Sequence, residues 1–110
     1  MPSVVFLSGD LMFASRVRAA AQANDLEFVL ATQMPTELSE IRFVILDLAT
    51  RSKLTETLVE QCGQLCPEAK LIAFGPHVQV SRLDAARAAG IPTVMTRGQF
   101  DRELAGKLFH

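Results

Sequence analysis

The chain has 110 residues, enough for one domain around one hydrophobic core, and 49% of them are apolar against 21% charged. Eleven Lys and Arg offset twelve Asp and Glu to a net charge of −1, and the cations are scattered, which argues against nucleic acid as a partner. The segment MPSVVFLSGD lacks the basic flank and length of a signal peptide and no apolar run is long enough to cross a membrane, so the expected location is cytoplasmic, without a membrane partner.

SVVFL, residues 3–7, is a β-branched and aromatic run that stops at Gly9-Asp10 and reads as a strand. Residues 11–24 are good helix formers, with Ala14, Val17 and Ala21 on one stripe. EFVLAT, 27–32, is a second strand. Pro35 then opens a short helical turn through TELSEI. RFVILDL, 42–48, is a third strand, apolar except for Arg42 and Asp47. Leu54, Leu58, Cys62 and Leu65 recur at helical spacing, which predicts an amphipathic helix over 53–66 that ends at Pro67. KLIAF, 70–74, is a fourth strand. SRLD, 81–84, has capping-box spacing ahead of an alanine-rich helix that stops at Gly90. IPTVMT, 91–96, is a fifth strand, and DRELAGKLF forms a closing helix.

Five strands, each followed by a helix and apolar on both faces, predict an α/β domain with a doubly wound parallel sheet covered on both sides. Cys62 and Cys66 stand in QCGQLC, a C-x-x-x-C spacing that suits neither a redox pair nor, with His77 and His110, a zinc set. They read as one core thiol, Cys62, and one half-buried thiol, Cys66.

In open parallel sheets, ligands gather at the carboxyl ends of the strands. The residues placed there are Ser8, Gly9 and Asp10, then Asp47, then Gly75 and Pro76, then Thr96 and Arg97. Asp47 is the costly member, because a carboxylate beside an apolar run needs donors or a cation. It can cap a helix, form half of a metal site, or act as a nucleophile.

This order of βα units, the acid after FLSG, the aspartate in FVILDL and the AARAAG before the last strand resemble the receiver domain of bacterial two-component response regulators. The resemblance covers nearly the whole chain. It implies a flavodoxin-like sheet of order 2-1-3-4-5, with residues 1–110 as one receiver-like domain and no output domain. It implies Asp47 as the candidate phosphoacceptor, Asp10 and Asp47 as Mg²⁺ ligands, and Arg97 as the cation that contacts the phosphoryl group or a carboxylate. A carboxylate attacks an anionic phosphoryl group only if a cation neutralises the charge, which is the role Mg²⁺ would take.

Several positions depart from the family pattern. Gly9 stands where a first acid is expected, Gly75 replaces a hydroxyl residue, Arg97 replaces a lysine, and Val94 replaces a switching aromatic. DLATRS lacks the methionine-proline turn. Plainer roles compete at each site: Asp10 as N-cap of the first helix, Asp47 in a fixed pair with Arg97, and Gly75 serving the loop backbone. Helical phase leaves open whether Met12 and Phe13 pack inward or face a partner, with packing favoured.

Three functions follow. The leading one is a stand-alone, non-enzymatic signalling module that acts by protein–protein contact, with phosphorylation impaired or absent and Mg²⁺ bound weakly or not at all. Its partner would be a histidine kinase or a downstream signalling protein. The alternative is a working phosphoacceptor in a phosphorelay. The third, a small-molecule or nucleotide binder at the same edge, is weakest, because no strand is followed by G-x-G-x-x-G or a P-loop.

Overall fold

A computed structural model describes all of residues 1–110. The elements are β1 (Ser3–Leu7), α1 (Leu11–Ala23), β2 (Glu27–Ala31), β3 (Ile41–Asp47), α2 (Leu48–Arg51), a 3₁₀ turn (Ser52–Leu54), α3 (Leu58–Leu65), β4 (Lys70–Gly75), α4 (Val80–Ala88), β5 (Thr93–Thr96) and α5 (Arg97–Ala105). All strand pairs are parallel, and the sheet order is β2-β1-β3-β4-β5. This is the flavodoxin-like order anticipated from the resemblance.

Side chains along the central strands alternate between two buried layers, as the two-residue period of a strand requires. Val5, Leu7, Val44, Leu46, Leu71 and Ala73 face an aliphatic layer with Leu48, Leu58, Cys62, Leu83 and Ala86 of the following helices. Val4, Phe6, Phe43, Ile45, Ile72 and Phe74 face the other layer, against Phe13 and Val17 of α1 and Phe100 and Leu104 of α5. All seven phenylalanines of the chain belong to this second layer or pack against it. Phe74 stacks on Phe100 at 4.3 Å and on Phe6 at 6.0 Å between ring centroids. Truncating so buried a ring costs about 3–5 kcal/mol. The aromatic layer therefore fixes α1 and α5, the two helices that carry Asp10 and Arg97 at their starts.

Five local expectations are corrected. No helix forms between β2 and β3; residues 32–40 are irregular, with Met34 buried and Leu38 packed against the aliphatic layer. A segment allowing about two turns, opened by proline, cannot repay helix nucleation on its own. The helix expected over 53–66 is broken: α2 starts at once from Asp47, and α3 begins only at Leu58, after a turn holding the β-branched Thr55 and Thr57. The box expected at SRLD does not form, since α4 starts at Val80 with no side-chain cap. The capping box lies instead at Thr96 and Gln99, which starts the last helix at Arg97 rather than at Asp101. TRGQ carries the full Thr-x-x-Gln signature, whereas the Asp84 side chain of SRLD is one carbon shorter than the usual Glu or Gln. Finally, Cys66 is buried as fully as Cys62.

Candidate functional site

The carboxyl edge of the sheet is built by two strand-to-helix turns with almost no loop. β1 ends at Leu7, and three residues later Asp10 caps α1, its Oδ1 accepting from the Phe13 N–H at 3.0 Å. β3 runs directly into α2, and Asp47 is the cap, its Oδ1 accepting from the Ala49 N–H at 3.0 Å. Of the three roles open to Asp47 in the sequence, helix capping is thus realised in the structure.

Asp47 is 3% exposed and does more than cap. Its Oδ2 accepts from the Ser8 hydroxyl at 2.7 Å and from the Thr50 hydroxyl at 2.9 Å. Each hydroxyl in turn accepts a backbone N–H of the β1–α1 turn: within that turn Asp10 N–H donates to Ser8 Oγ at 3.0 Å, and across to the other turn Gly9 N–H donates to Thr50 Oγ1 at 2.9 Å. The result is a closed circuit through one carboxylate oxygen that ties the β1–α1 turn to the β3–α2 turn. A buried polar group with all its nearby donors satisfied is held rigidly.

The ion pair between Asp47 and Arg97, one of the plainer roles open to both residues, is not made. Arg97 Nη2 donates to Asp10 Oδ2 at 3.1 Å, and its guanidinium lies 4.7 Å from the centre of the Phe13 ring. Arg97 is the first residue of α5, so the early helix start carries its side chain toward α1 rather than toward β3. The backbone N–H of Phe13 and, less strongly, the nearby guanidinium hold the Asp10 carboxyl below its ordinary range against the opposing effect of burial.

The remaining positions resolve plainly. Met12 and Phe13, paired as one question in the sequence, separate: Phe13 is core and Met12 is 86% exposed. Gly75 needs no unusual backbone; a Cβ there would come within 3.2 Å of Leu48 Cβ, so close packing on α2 sets the glycine. A Cβ at Gly9 would lie 3.3 Å from Arg51 Nη2. Ser8 was placed at this edge from the sequence but given no role there, and Thr50 and Arg51 were not placed there at all. For Ser8 and Thr50 the available signal was their spacing, one just past β1 and one three residues after Asp47.

Both carboxylates at this edge are engaged by protein donors in the structure. Asp10 gives its two oxygens to a helix N–H and to arginine, and Asp47 gives both of its own to hydroxyls and a backbone N–H. No three His, Cys, Asp or Glu side chains converge as a metal-ligand set.

Neither a protein-family model nor a curated protein matches the chain by sequence. Solved structures do match by fold. A response regulator from Thermotoga maritima superposes with a TM-score of 0.68 at 12% identity, over 96% of this chain and 99% of that one. A response regulator from Burkholderia pseudomallei, solved with a phosphorylated aspartic acid, a calcium ion and citrate, gives 0.68 at 12%, over 98% and 68%. A CheY-like protein (TadZ) from Pseudomonas aeruginosa PAO1 gives 0.62 at 17%, over 94% and 99%. The chain has the fold of a response-regulator receiver domain. No helix is long and apolar enough to cross a membrane.

Proposed function

We propose that this receiver-fold chain is a non-enzymatic signalling module of the cytoplasm that works by protein–protein contact, with its phosphorylation switch impaired. Support comes above all from the Asp47 circuit. Two hydroxyls converge on Oδ2 and a helix N–H occupies Oδ1, so three of about four lone-pair sites on the carboxylate are engaged before any phosphoryl donor arrives. Attack on phosphorus would have to break the circuit that joins the two turns. The charge that should meet the phosphoryl group is also committed elsewhere, Arg97 being paired with Asp10.

Mg²⁺ affinity is weak on this reading. One acid is absent at Gly9, and the Arg51 guanidinium lies where a side chain at Gly9 would project, adding positive charge beside the metal position. A histidine kinase or a downstream signalling protein remains the class of partner. The second reading, a phosphoacceptor at Asp47 in a phosphorelay, draws on one observation: Asp47 ends the central strand in a fold for which a phosphorylated aspartate is recorded in the Burkholderia protein.

An NMR titration with Mg²⁺ followed by beryllofluoride separates the two. The impaired-switch reading predicts no saturable shifts of Ser8, Gly9, Asp47 and Thr50 at millimolar Mg²⁺. Saturable shifts centred on those residues, strengthened by beryllofluoride, would establish the phosphoacceptor.

A further inference from the structure

We infer that the pocket beside Arg51 is a docking site for an extended, acidic and aliphatic segment of a partner protein. This rests on the interaction-module reading and gives it a surface. The pocket, about 530 Å³, lies on the β2 side of the sheet edge between Gly9, Leu11, Leu30, Thr32, Gln33 and Arg51. Its cation is uncommitted. Arg51 is in no ion pair, its one hydrogen bond runs from Nη1 to the carbonyl of its neighbour Thr50, and its Nε is buried with no acceptor. The Nη2 group, which makes no hydrogen bond and lies beside Gly9 at the pocket, is the part a partner can reach, and a carboxylate matches a guanidinium in charge and geometry.

Gly9 keeps this cation open toward the pocket, because any side chain there would begin 3.3 Å from Nη2. Part of the rim is apolar: Leu11, 69% exposed, and Leu30, near the end of β2, line it beside the polar Thr32 and Gln33, and Met12, just outside the pocket, is more exposed still. That apolar surface runs out of the pocket onto the first turn of α1, farther than a small anion reaches. β2 is also an edge strand, hydrogen-bonded to β1 alone, so its outer side offers backbone partners to an extended chain. One acidic side chain against Arg51, flanked by aliphatic residues over Leu11 and Leu30, satisfies all three features at once.

The test uses the ¹⁵N-labelled 110-residue chain and the peptide acetyl-Leu-Val-Glu-Leu-amide. The expected result is saturable shifts of Gly9, Leu11, Leu30 and Thr32, with affinity about tenfold lower when Gln replaces the peptide Glu. Arg51→Gln should lower the affinity by about the same tenfold. Gly9→Asp should do the same by placing a carboxylate beside Arg51 within the chain, and both variants should keep the dispersed spectrum of the folded protein. Absence of shifts at millimolar peptide, equal affinity for the Gln peptide, or shifts centred elsewhere would overturn the site. Octanoate binding there as tightly as the peptide would make it a small-anion site and also overturn the proposal. Phosphoryl uptake by Asp47 with peptide binding intact would sink only the impaired-switch reading; loss of peptide binding with Asp47 unlabelled would sink only the docking site.

Discussion

Arg97 reaches across 87 residues of sequence to donate to Asp10 at 3.1 Å, and so leaves Asp47 with neutral donors only. This pairing changes what each acid does. Asp10 is a cap stabilised by a cation, and Asp47 is a buried tie between two turns. The single charged cluster expected from the sequence is divided into two separate contacts.

Substitutions at Asp10 separate capping from charge. Asn caps as well as Asp but carries no charge for Arg97, so Asp10→Asn should cost only a few tenths of a kcal/mol at pH 7, whereas Asp10→Ala should cost about 1 kcal/mol in denaturant melts. Arg97→Ala should cost less than about 1 kcal/mol, because the pair is part-exposed, 47% for Arg97 and 27% for Asp10. A double-mutant cycle of Arg97→Ala with Asp10→Asn should return a small favourable coupling. A coupling of zero would mean that the pair contributes nothing.

The lowered Asp10 pKa sets an acid limb. A carboxyl held below 3.8 in the folded state and at its ordinary value in the unfolded chain adds stability above the unfolded value. That contribution is lost as pH falls through the lowered folded value. Urea midpoints of the wild type and Asp10→Asn should therefore converge as pH falls from about 5 toward 2, because only the wild type loses this contribution. A gap that holds constant over that window would contradict the assignment.

Removing Asp47 should destabilise the protein, although not by stranding Arg97. Asp47→Ala orphans the Ser8 and Thr50 hydroxyls and uncaps α2, at a cost of about 2 kcal/mol, and Ser8→Ala should cost about 1 kcal/mol. Equilibrium melts decide it. An Asp47→Ala protein more stable than wild type would mean that the carboxylate is strained in place, as a metal-assisted nucleophile awaiting its cation would be.

Much of the fold was legible because strand and helix periods differ and the central strands are apolar on both faces. Val44, Ile45 and Leu46 in one unbroken run announce a strand buried on both sides. The segments that went unread are those where tertiary contacts outweigh local pattern. Pro35 and TELSEI suggested a short helical turn, yet residues 32–40 form none, and Met34 is buried in the aliphatic layer instead. Leu54, Leu58, Cys62 and Leu65 keep helical spacing, but Asp47 starts a separate turn ahead of them. At the site, Asp10, Asp47 and Arg97 were visible as charges at strand ends. Their pairing was not, because it depends on α5 beginning at Arg97, four residues ahead of the expected start. Ser8 and Thr50 were hidden for a simpler reason: a hydroxyl signals nothing until a buried acceptor is placed beside it.

The thiols give an alkaline counterpart to the acid limb. Burial, reinforced by Cys66 close by, pushes the Cys62 thiol from an ordinary 9.0 up to about 12. Its contribution to stability is complete below the unfolded value and is lost as pH rises from 9 toward 12. Cys62→Ala should flatten that limb. Ellman's reagent at pH 8 should label the native protein far more slowly than the denatured chain, and equal rates would show that the thiol is open to solvent.

The most direct measurement is intact-mass analysis after incubation with acetyl phosphate and Mg²⁺. With both Asp47 oxygens held by Ser8, Thr50 and Ala49, and with Arg97 committed to Asp10, the wild type should remain essentially unlabelled. Ser8→Ala, which frees one bond on Oδ2, should label more than wild type. Substantial addition of one phosphoryl group to the wild type, lost in Asp47→Asn, would contradict the account and establish Asp47 as a working phosphoacceptor.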